Sequence, residues 1–367
     1  MRSIIILGGY GNFGGRIARA LSKMSDVNVY IAGRSQEKAK HFCDTYGGNL
    51  QPLSLEMDDF NFSSRIRSFR TKIVIHTAGP FQTQNYQVAE KTAAGGSHYI
   101  DLSDSRRFVC DFKHNMQSHF NVSKTIGISG ASTVPALSSA IVDYLSKSLC
   151  KINEIDICIA PGHLAPRGLA TMRAILDYCG KQISVLENNQ WIQKAGWGNL
   201  TPVKFSKMSS RVGSLCDIPD LELFKSVYPS VKTITFNAAL ELKISQYALY
   251  LLSKLKSSGF NFDLQRLAPV LESSAHLLNP FGTGLGGMRV LVKGEDLYGN
   301  VIEKTFNITA PDRNGPEIPA MPAIILARKL IYEDHQLRPG AYTASNLLNL
   351  DEFKPEFEKW KITTDES

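Results

Sequence analysis

The fold is decided by the stretch Ser3-Ile-Ile-Ile-Leu-Gly-Gly-Tyr-Gly-Asn-Phe-Gly14 near the start of the chain. Its first half is a short, mostly apolar run that ends at glycines, which predicts a buried strand. After the last glycine, Ile17, Leu21 and Met24 have the spacing of a helix face. A G-x-G-x-x-G turn between a strand and a helix is typical of dinucleotide binding.

The residues of this turn have distinct roles in that chemistry. We predict that Gly9 allows the tight turn, Gly11 lets the backbone approach a pyrophosphate, and Gly14 lets the helix pack on the strand. The helix begins near Asn12 and Phe13, where free amides and the helix dipole favour negative phosphates. These five residues are candidate cofactor contacts; the alternative is a glycine-rich turn without a ligand.

The end of the second predicted strand, Val27–Ile31, indicates which dinucleotide binds. Arg34 stands 20 residues after Gly14, where an NAD-binding protein would place Asp or Glu for the ribose 2′-hydroxyl. A guanidinium can form two charge-assisted bonds with a 2′-phosphate, and Ser35 adds a hydroxyl. We therefore predict NADP(H) as the cofactor; the alternative is a solvated loop arginine.

Two other turns follow predicted strands and are candidate cofactor contacts. Ala78, Gly79 and Pro80 come after the strand Lys72–Thr77, and ligands of open α/β sheets bind outside the carboxyl ends of the strands. Asp58 follows the third strand and could accept a hydrogen bond from the adenine amine. The alternatives are a simple strand-ending turn and an exposed surface aspartate.

The first 130 residues alternate strand and helix patterns, which predicts an α/β domain with a doubly wound parallel sheet. Ser129–Pro135 then interrupts the pattern like a hinge, and residues 131–312 form a second predicted domain. In that domain, Met288–Glu295 and Val301–Thr309 alternate in period two and predict a hairpin. The strand candidates of the first domain are Ser3–Leu7, Val27–Ile31, Leu53–Leu55, Lys72–Thr77, Tyr99–Leu102 and Thr125–Ile128.

Length and composition fit two globular domains in 367 residues, with 43% hydrophobic and 20% charged residues and a net charge of +7. The basic residues are dispersed, which suits an anionic cofactor and gives little support for nucleic acid binding.

Six cysteines without a CxxC pair indicate a reducing, cytoplasmic setting, and no histidine spacing predicts a metal site. Residues 237–260 are too interrupted by charge to span a bilayer; we favour a core helix over a membrane-surface helix.

The chain resembles the saccharopine dehydrogenase-like family of NADP-binding oxidoreductases, including a bacterial subgroup. The resemblance implies a Rossmann domain interrupted by an α+β domain with a mixed sheet, and a C-terminal helix within residues 313–361 that returns to the first domain. It also implies a substrate between the domains and, often, a homodimer. The stretches that carry it are Gly9–Gly14 with Gly33-Arg34-Ser35, His76–Phe81, His98–Ser103, Ala160–Gly168 and Gly315–Pro319.

Candidate catalytic residues follow two of the predicted strands. Asp101 ends the fifth strand and could orient a substrate amine or relay a proton, or it could cap the helix near Ser105. His163 and Arg167 lie in the loop after the strand Glu154–Ala160. His163 could donate a proton and Arg167 could hold a substrate carboxylate or phosphate. The alternative for both is a surface loop residue.

Together these patterns predict an NADP(H)-dependent oxidoreductase that transfers a hydride to or from a C=N, C=O or C=C centre. Its substrate would be a small or lipid-like molecule. The absence of a sharp catalytic motif favours one alternative, a regulatory protein that binds NADPH without catalysis.

Overall fold

The structure is a computed structural model that describes residues 2–166, 169–260 and 264–367. The chain divides into two compact units. The first contains Met1–Leu137 and Glu317–Leu348, and the second contains Ser138–Pro316 and Asn349–Ser367. Each unit is therefore built from two separate segments of the chain.

The first segment alternates strands and helices, as predicted from the pattern of apolar residues. The strands are β1 (Arg2–Leu7), β2 (Val27–Gly33), β3 (Leu50–Ser54), β4 (Thr71–His76), β5 (His98–Asp101) and β6 (Ile126–Ser129). The helices are α1 (Asn12–Leu21), α2 (Gln36–Tyr46), α3 (Phe62–Ser68), α4 (Gln87–Ala94), α5 (Arg106–Cys110) and α6 (Phe112–Ser123). Each predicted strand is present, with ends that differ by up to three residues.

The second unit mixes helices with longer strands. Its helices are α7 (Ser138–Ser146), α8 (Leu169–Asp177), α9 (Asp220–Val227), α10 (Lys243–Ser257) and α11 (Ala268–Leu277). Its strands are β7 (Lys151–Ala160), β8 (Gln182–Glu187), β9 (Gln190–Ala195), β10 (Thr201–Val203), β11 (Arg211–Leu215), β12 (Thr233–Ala238), β13 (Gly286–Glu295) and β14 (Val301–Ala310). The chain then adds α12 (Met321–Tyr332), β15 (Gly340–Thr343), α13 (Lys354–Lys359) and β16 (Thr363–Glu366).

The sheet of the first unit has the strand order β15-β6-β5-β4-β1-β2-β3, and all neighbours are parallel. Ile4, Ile5 and Ile6 of β1 are fully buried, because β1 lies in the middle of a sheet whose two faces are covered. The strand order reverses between β1 and β4, which is the position where such sheets bind ligands. The predicted doubly wound α/β fold is confirmed.

The sheet of the second unit is mixed, as the resemblance implied. Its order is β10-β11-β12-β7-β13-β14-β16, with β12 and β7 parallel and β7, β13 and β14 antiparallel. The predicted hairpin is confirmed, since Val290 of β13 pairs with Phe306 of β14. Helix α9 was not predicted, because it lies in a region whose sequence indicated only short strands and turns.

The C-terminal part of the chain divides between the two units. The predicted returning helix is α12, which packs on α1 and β4 of the first unit. Residues 349–367 belong instead to the second unit, so the expected segment 313–361 does not stay on the first. The reason is the edge of the second sheet, where Thr364 of β16 pairs with Ile308 of β14 and ends the chain in a strand. No described helix is long and apolar enough to cross a bilayer.

Candidate nucleotide-binding site

The turn between β1 and α1 is sharp because of Gly8, which has a φ of 76°. That left-handed conformation disfavours any residue with a side chain. The Gly8 amide donates to Ala32 O at 2.8 Å, and the Gly11 amide donates to Gly8 O at 2.8 Å. The sequence analysis assigned this role to Gly9, which was wrong. Gly9 is needed for close packing instead, since a Cβ there would lie 3.1 Å from the Ile31 side chain.

The other two glycines of the motif have different surroundings. A Cβ on Gly14 would overlap Gly8 O and lie 2.6 Å from Thr77 Oγ1, so α1 packs directly on the ends of β1 and β4. Gly11 is exposed, and a Cβ there would meet only Gly8 O, at 3.0 Å. Gly11 therefore presents backbone without a side chain to solvent, and Gly14 holds α1 against the turn.

The N-terminus of α1 is suited to an anion. Its first turn contains no acidic residue, and helix N-terminal amides carry partial positive charge. Phe13 is half-buried in this turn. The half-buried Asn12 side chain is fixed by Arg16, whose Nη1 donates to Asn12 Oδ1 and to Asn12 O at 2.6 Å. Arg16 Nε in turn lies 3.1 Å from Glu317 Oε1, and Arg19 Nη2 lies 3.6 Å from the same oxygen.

The end of β2 presents Arg34 to solvent, and Arg34 makes no ion pair with another described residue. Ser35 caps α2, since its Oγ accepts from the Lys38 amide at 3.2 Å. The Tyr10 ring covers Gly33, where a Cβ would lie 2.5 Å from Tyr10 Oη. Tyr10 Oη also accepts from the Ser35 amide at 3.3 Å. Tyr10 therefore joins the glycine turn to the residues expected at the ribose.

The predicted turn after β4 is held by side-chain hydrogen bonds. Thr77 Oγ1 donates to Leu7 O at 2.8 Å, which joins the ends of β4 and β1. Gln84 Nε2 donates to Ala78 O at 2.7 Å and to Pro80 O at 3.0 Å. Ala78, Gly79 and Pro80 are half-buried, so the turn offers fixed backbone at the sheet edge that binds ligands.

Asp58 is exposed in the loop after β3 and has no ion pair among the described residues. The neighbouring Met57 is placed by His76 at the end of β4, because Met57 Sδ lies 3.2 Å from His76 Nε2. His76 Nδ1 lies 3.1 Å from Tyr99 Oη. Burial lowers the pKa of His76 to about 4, so this ring is neutral at physiological pH.

Asp101 is fully buried at the end of β5. Its Oδ1 accepts from the amides of Ser103 and Gly130 at 2.9 Å and from Ser129 Oγ at 3.0 Å. It does not cap the helix near Ser105, because the Ser105 amide donates to Ser103 Oγ. Asp101 therefore ties β5 to the turn after β6, and the capping reading is wrong, whereas its role towards a substrate amine or proton stays a prediction.

Burial raises the pKa of Asp101 to about 6, and hydrogen bonds from Gly130, Ser103, Ser129 and Tyr99 act against burial. A raised pKa in the folded state means that the contribution of Asp101 to stability is lost as pH rises from about 4 to about 6. We expect Asp101→Asn, compared with wild type, to gain about 2 kcal/mol in the free energy of unfolding over this range. Urea unfolding of both proteins at several pH values measures this difference. Both proteins contain His76, so the effect of its titration on stability cancels in the comparison. A difference that is independent of pH would contradict the assignment.

His163 lies in the second unit and is buried. Its amide donates to Glu241 Oε2 at 2.6 Å, and its Nε2 donates to Ala275 O at 3.0 Å. Its ring also packs against Gly282. His163 therefore anchors the loop after β7 to α11, an arrangement that uses its ring proton structurally. Arg167 lies outside the described residues.

The structure brings the candidate cofactor residues of the first unit to the carboxyl ends of neighbouring strands. The hydrogen bonds from Gly8 to Ala32 and from Thr77 to Leu7 join the ends of β1, β2 and β4. Sequence reasoning missed Gly8, although the doublet with Gly9 was a signal. It also missed Tyr10 and Glu317, whose roles depend on contacts between distant residues. Within the described residues, no three His, Cys, Asp or Glu side chains could hold a metal ion.

The geometry defines a dinucleotide-binding domain of the Rossmann type. Residues 4–126 match the family model described as the saccharopine dehydrogenase NADP binding domain. The match covers about a third of the chain and confirms the resemblance for these residues, which are similar to the saccharopine dehydrogenase-like family of NADP-binding proteins. The predicted cofactor agrees with this family. No curated protein matches the chain in sequence.

Several solved structures share the fold at low sequence identity. Saccharopine dehydrogenase (L-Glu forming) from Saccharomyces cerevisiae is 12% identical, with a TM-score of 0.71 over 100% of this chain and 99% of that one. Homospermidine synthase from Legionella pneumophila, in complex with NAD, is 11% identical, with a TM-score of 0.64 over 100% and 91%. Amine dehydrogenase from Mycobacterium smegmatis is 9% identical, with a TM-score of 0.50 over 95% and 96%. At these identities the likeness concerns the fold alone.

Proposed function

We propose that the protein is an NADP(H)-dependent oxidoreductase that transfers a hydride to or from a C=N, C=O or C=C centre of a small or lipid-like substrate. The observation that carries the proposal is Arg34, an exposed guanidinium without an ion pair among the described residues. It stands at the end of β2, next to a turn in which Gly11 presents backbone without a side chain to solvent. A carboxylate at this position would repel a 2′-phosphate, whereas a guanidinium can bind it in a bidentate manner.

The residues of the first unit bind and orient the cofactor. The Gly11–Gly14 turn and the N-terminus of α1 bind the pyrophosphate, and Arg34 with Ser35 binds the 2′-phosphate. The turn Ala78–Pro80 presents backbone groups along the dinucleotide, and Asp58 accepts from the adenine amine. NADP(H) supplies the hydride chemistry itself, so the protein needs mainly to position the reactants and exclude water.

Fewer observed contacts support the residues proposed to bind the substrate than support the cofactor residues. Arg167 is the candidate for holding a substrate carboxylate or phosphate, because its charge persists at all physiological pH values. His163 stays a candidate proton donor only if its bond to Ala275 O opens, since that bond uses its ring proton. A cytoplasmic location and a homodimer are further predictions that follow from composition and from the resemblance.

Binding selectivity tests the cofactor part of the proposal. We expect the purified protein to bind NADPH about 10–100-fold more tightly than NADH, because only NADPH offers the phosphate that Arg34 can pair with. Isothermal titration calorimetry with both dinucleotides measures this ratio. Equal affinities, or no NADPH uptake by folded protein, would contradict the assignment.

Turnover tests the catalytic part. We expect NADPH oxidation, followed by its absorbance, with at least one class in a panel of imines, keto acids and enoyl compounds. The matched control is the same panel with an Arg34→Glu variant, which should show the activity lost together with NADPH binding. Tight NADPH binding with no turnover across the panel would favour the regulatory alternative over an enzyme.

A further inference from the structure

Helix α10 of the second unit buries Gln246, Leu249 and Ser253, so two of its three buried side chains are polar. Gln246 is fully buried, and its Nε2 donates to Ser214 Oγ at 2.8 Å while its Oε1 accepts from the Leu240 amide at 2.9 Å. Ser253 is also buried, and its Oγ donates to Gly196 O at 2.7 Å. Helices on the surface of globular proteins normally pack an apolar stripe on the core and leave polar residues outside. In α10, hydrogen bonds hold Gln246 and Ser253 on the buried side.

The outward side of α10 is apolar. We call Ile244, Tyr247, Leu251 and Leu255 the outer stripe; their exposed fractions are 65%, 49%, 59% and 38%. Residues at this spacing lie on one side of a helix, and the outer stripe is about 17 Å long at 1.5 Å per residue. A core helix was predicted here, whereas α10 buries only one of its sides. A continuous exposed apolar stripe marks an interaction surface.

Of the three lysines of α10, Lys243 and Lys254 are exposed beside the outer stripe, whereas Lys256 is half-buried near Gly180. Lys243, Lys254 and Lys256 are the charged residues of α10, which has no Asp or Glu. Lys254 also lies 5.7 Å from the centre of the Tyr250 ring. Pairing of α10 with the same helix of a second copy would bring these lysines together without a carboxylate from α10. Their charge is instead complementary to an anionic lipid surface.

We propose that α10 is a peripheral membrane-binding helix that lies on an anionic bilayer with the outer stripe inserted at the interface. The outer stripe inserts among the lipid headgroups, and the flanking lysines are attracted to anionic headgroups. Interfacial amphipathic helices bind membranes in this way. Phe260, just after α10, is also exposed and extends the apolar surface. The proposal is independent of the cofactor site, whose residues belong to the first unit.

Vesicle binding by the full-length protein tests the proposal. We expect wild type to co-sediment with phosphatidylcholine vesicles that contain about one-third phosphatidylserine, and to bind pure phosphatidylcholine at least about fivefold more weakly. Added salt should weaken the binding, because the lysines contribute to it. The double variant Leu251→Glu/Leu255→Glu should bind the anionic vesicles at least about tenfold more weakly, because it places carboxylates in the outer stripe.

The matched control makes the same chemical change elsewhere on the surface. Val122→Glu/Leu297→Glu replaces two side chains that are exposed in α6 and at the turn of the β13–β14 hairpin. It should bind vesicles like wild type, and both double variants should keep the NADPH affinity and circular dichroism of wild type. Failure of wild type to bind either vesicle would overturn the proposal. So would a dimer, seen by light scattering, that the outer-stripe variant abolishes without any vesicle binding. If that variant misfolds, the dependence of wild-type vesicle binding on salt and on phosphatidylserine still tests the proposal.

Discussion

Arg34→Glu is expected to weaken NADPH binding by at least about a hundredfold while changing NADH binding by less than about threefold. The substitution removes two charge-assisted hydrogen bonds to the 2′-phosphate and places a carboxylate beside it, and each of these effects costs on the order of 1–3 kcal/mol. A glutamate at this position can also accept a hydrogen bond from the ribose 2′-hydroxyl of NADH, which preserves that affinity.

The measurement is calorimetric titration of both dinucleotides into wild type and variant. Arg70→Glu is the matched control, because Arg70 is an exposed arginine of the same unit that directly precedes β4. It therefore lies at the opposite end of the strand from the candidate site and changes net charge by the same amount. An equal loss of NADPH affinity in both variants would show a general effect of charge. Unchanged affinity in Arg34→Glu would remove the basis of the cofactor assignment.

The second large effect concerns two glycines of the same turn. Gly14→Ala is expected to lower the free energy of unfolding by about 1–3 kcal/mol and to abolish NADPH binding, because its methyl group would overlap Gly8 O, a backbone atom that cannot rotate away. Gly11→Ala should lower stability less, by about 1 kcal/mol at most, because Gly11 has an extended backbone with φ −81° and ψ −178° and its Cβ would lie 3.0 Å from Gly8 O without overlapping it. It should still weaken NADPH binding at least about tenfold, since the methyl group enters the space of the pyrophosphate.

Urea unfolding and NADPH titration of the two variants distinguish these effects. Loss of binding in Gly11→Ala with at most a small loss of stability would place the dinucleotide at this turn. Full NADPH affinity in Gly11→Ala would mean that no ligand approaches the backbone there. Unchanged stability in Gly14→Ala would contradict the close packing of α1 on the ends of β1 and β4.

Much of the first unit could be predicted because its signals are local. Continuous apolar runs such as Ile4–Leu7 become central parallel strands, and the spacing from Gly14 to Arg34 reflects the fixed length of one helix and one strand. Asp101 was found as a strand-end carboxylate, but its burial depends on Ser129 and Gly130 of another strand. Sequence position alone therefore identified the residue and not its role.

The features that sequence missed depend on contacts between distant residues. Arg16 and Glu317 are separated by 300 positions, and no local pattern indicates their pairing. The sequence of α10 favoured a core helix, but which of its sides faces the protein depends on where Ser214 and Gly196 accept its hydrogen bonds. Strand β16 likewise depends on a distant partner, the edge strand β14.

The Rossmann domain is completed by residues that the ribosome makes only after most of the second unit. Helix α12 and strand β15 contribute buried residues and the seventh strand to a unit whose other strands end at Ser129, and the whole second unit except its tail is synthesised between the two segments. During translation the first segment is made before α12 and β15, so the edge of β6 and the surface that α12 covers are still exposed. A chain in this state is prone to aggregation. A truncated clone that stops at residue 137 would keep this state permanently. A soluble, cofactor-binding domain will require residues 317–348 to be fused back through a short linker.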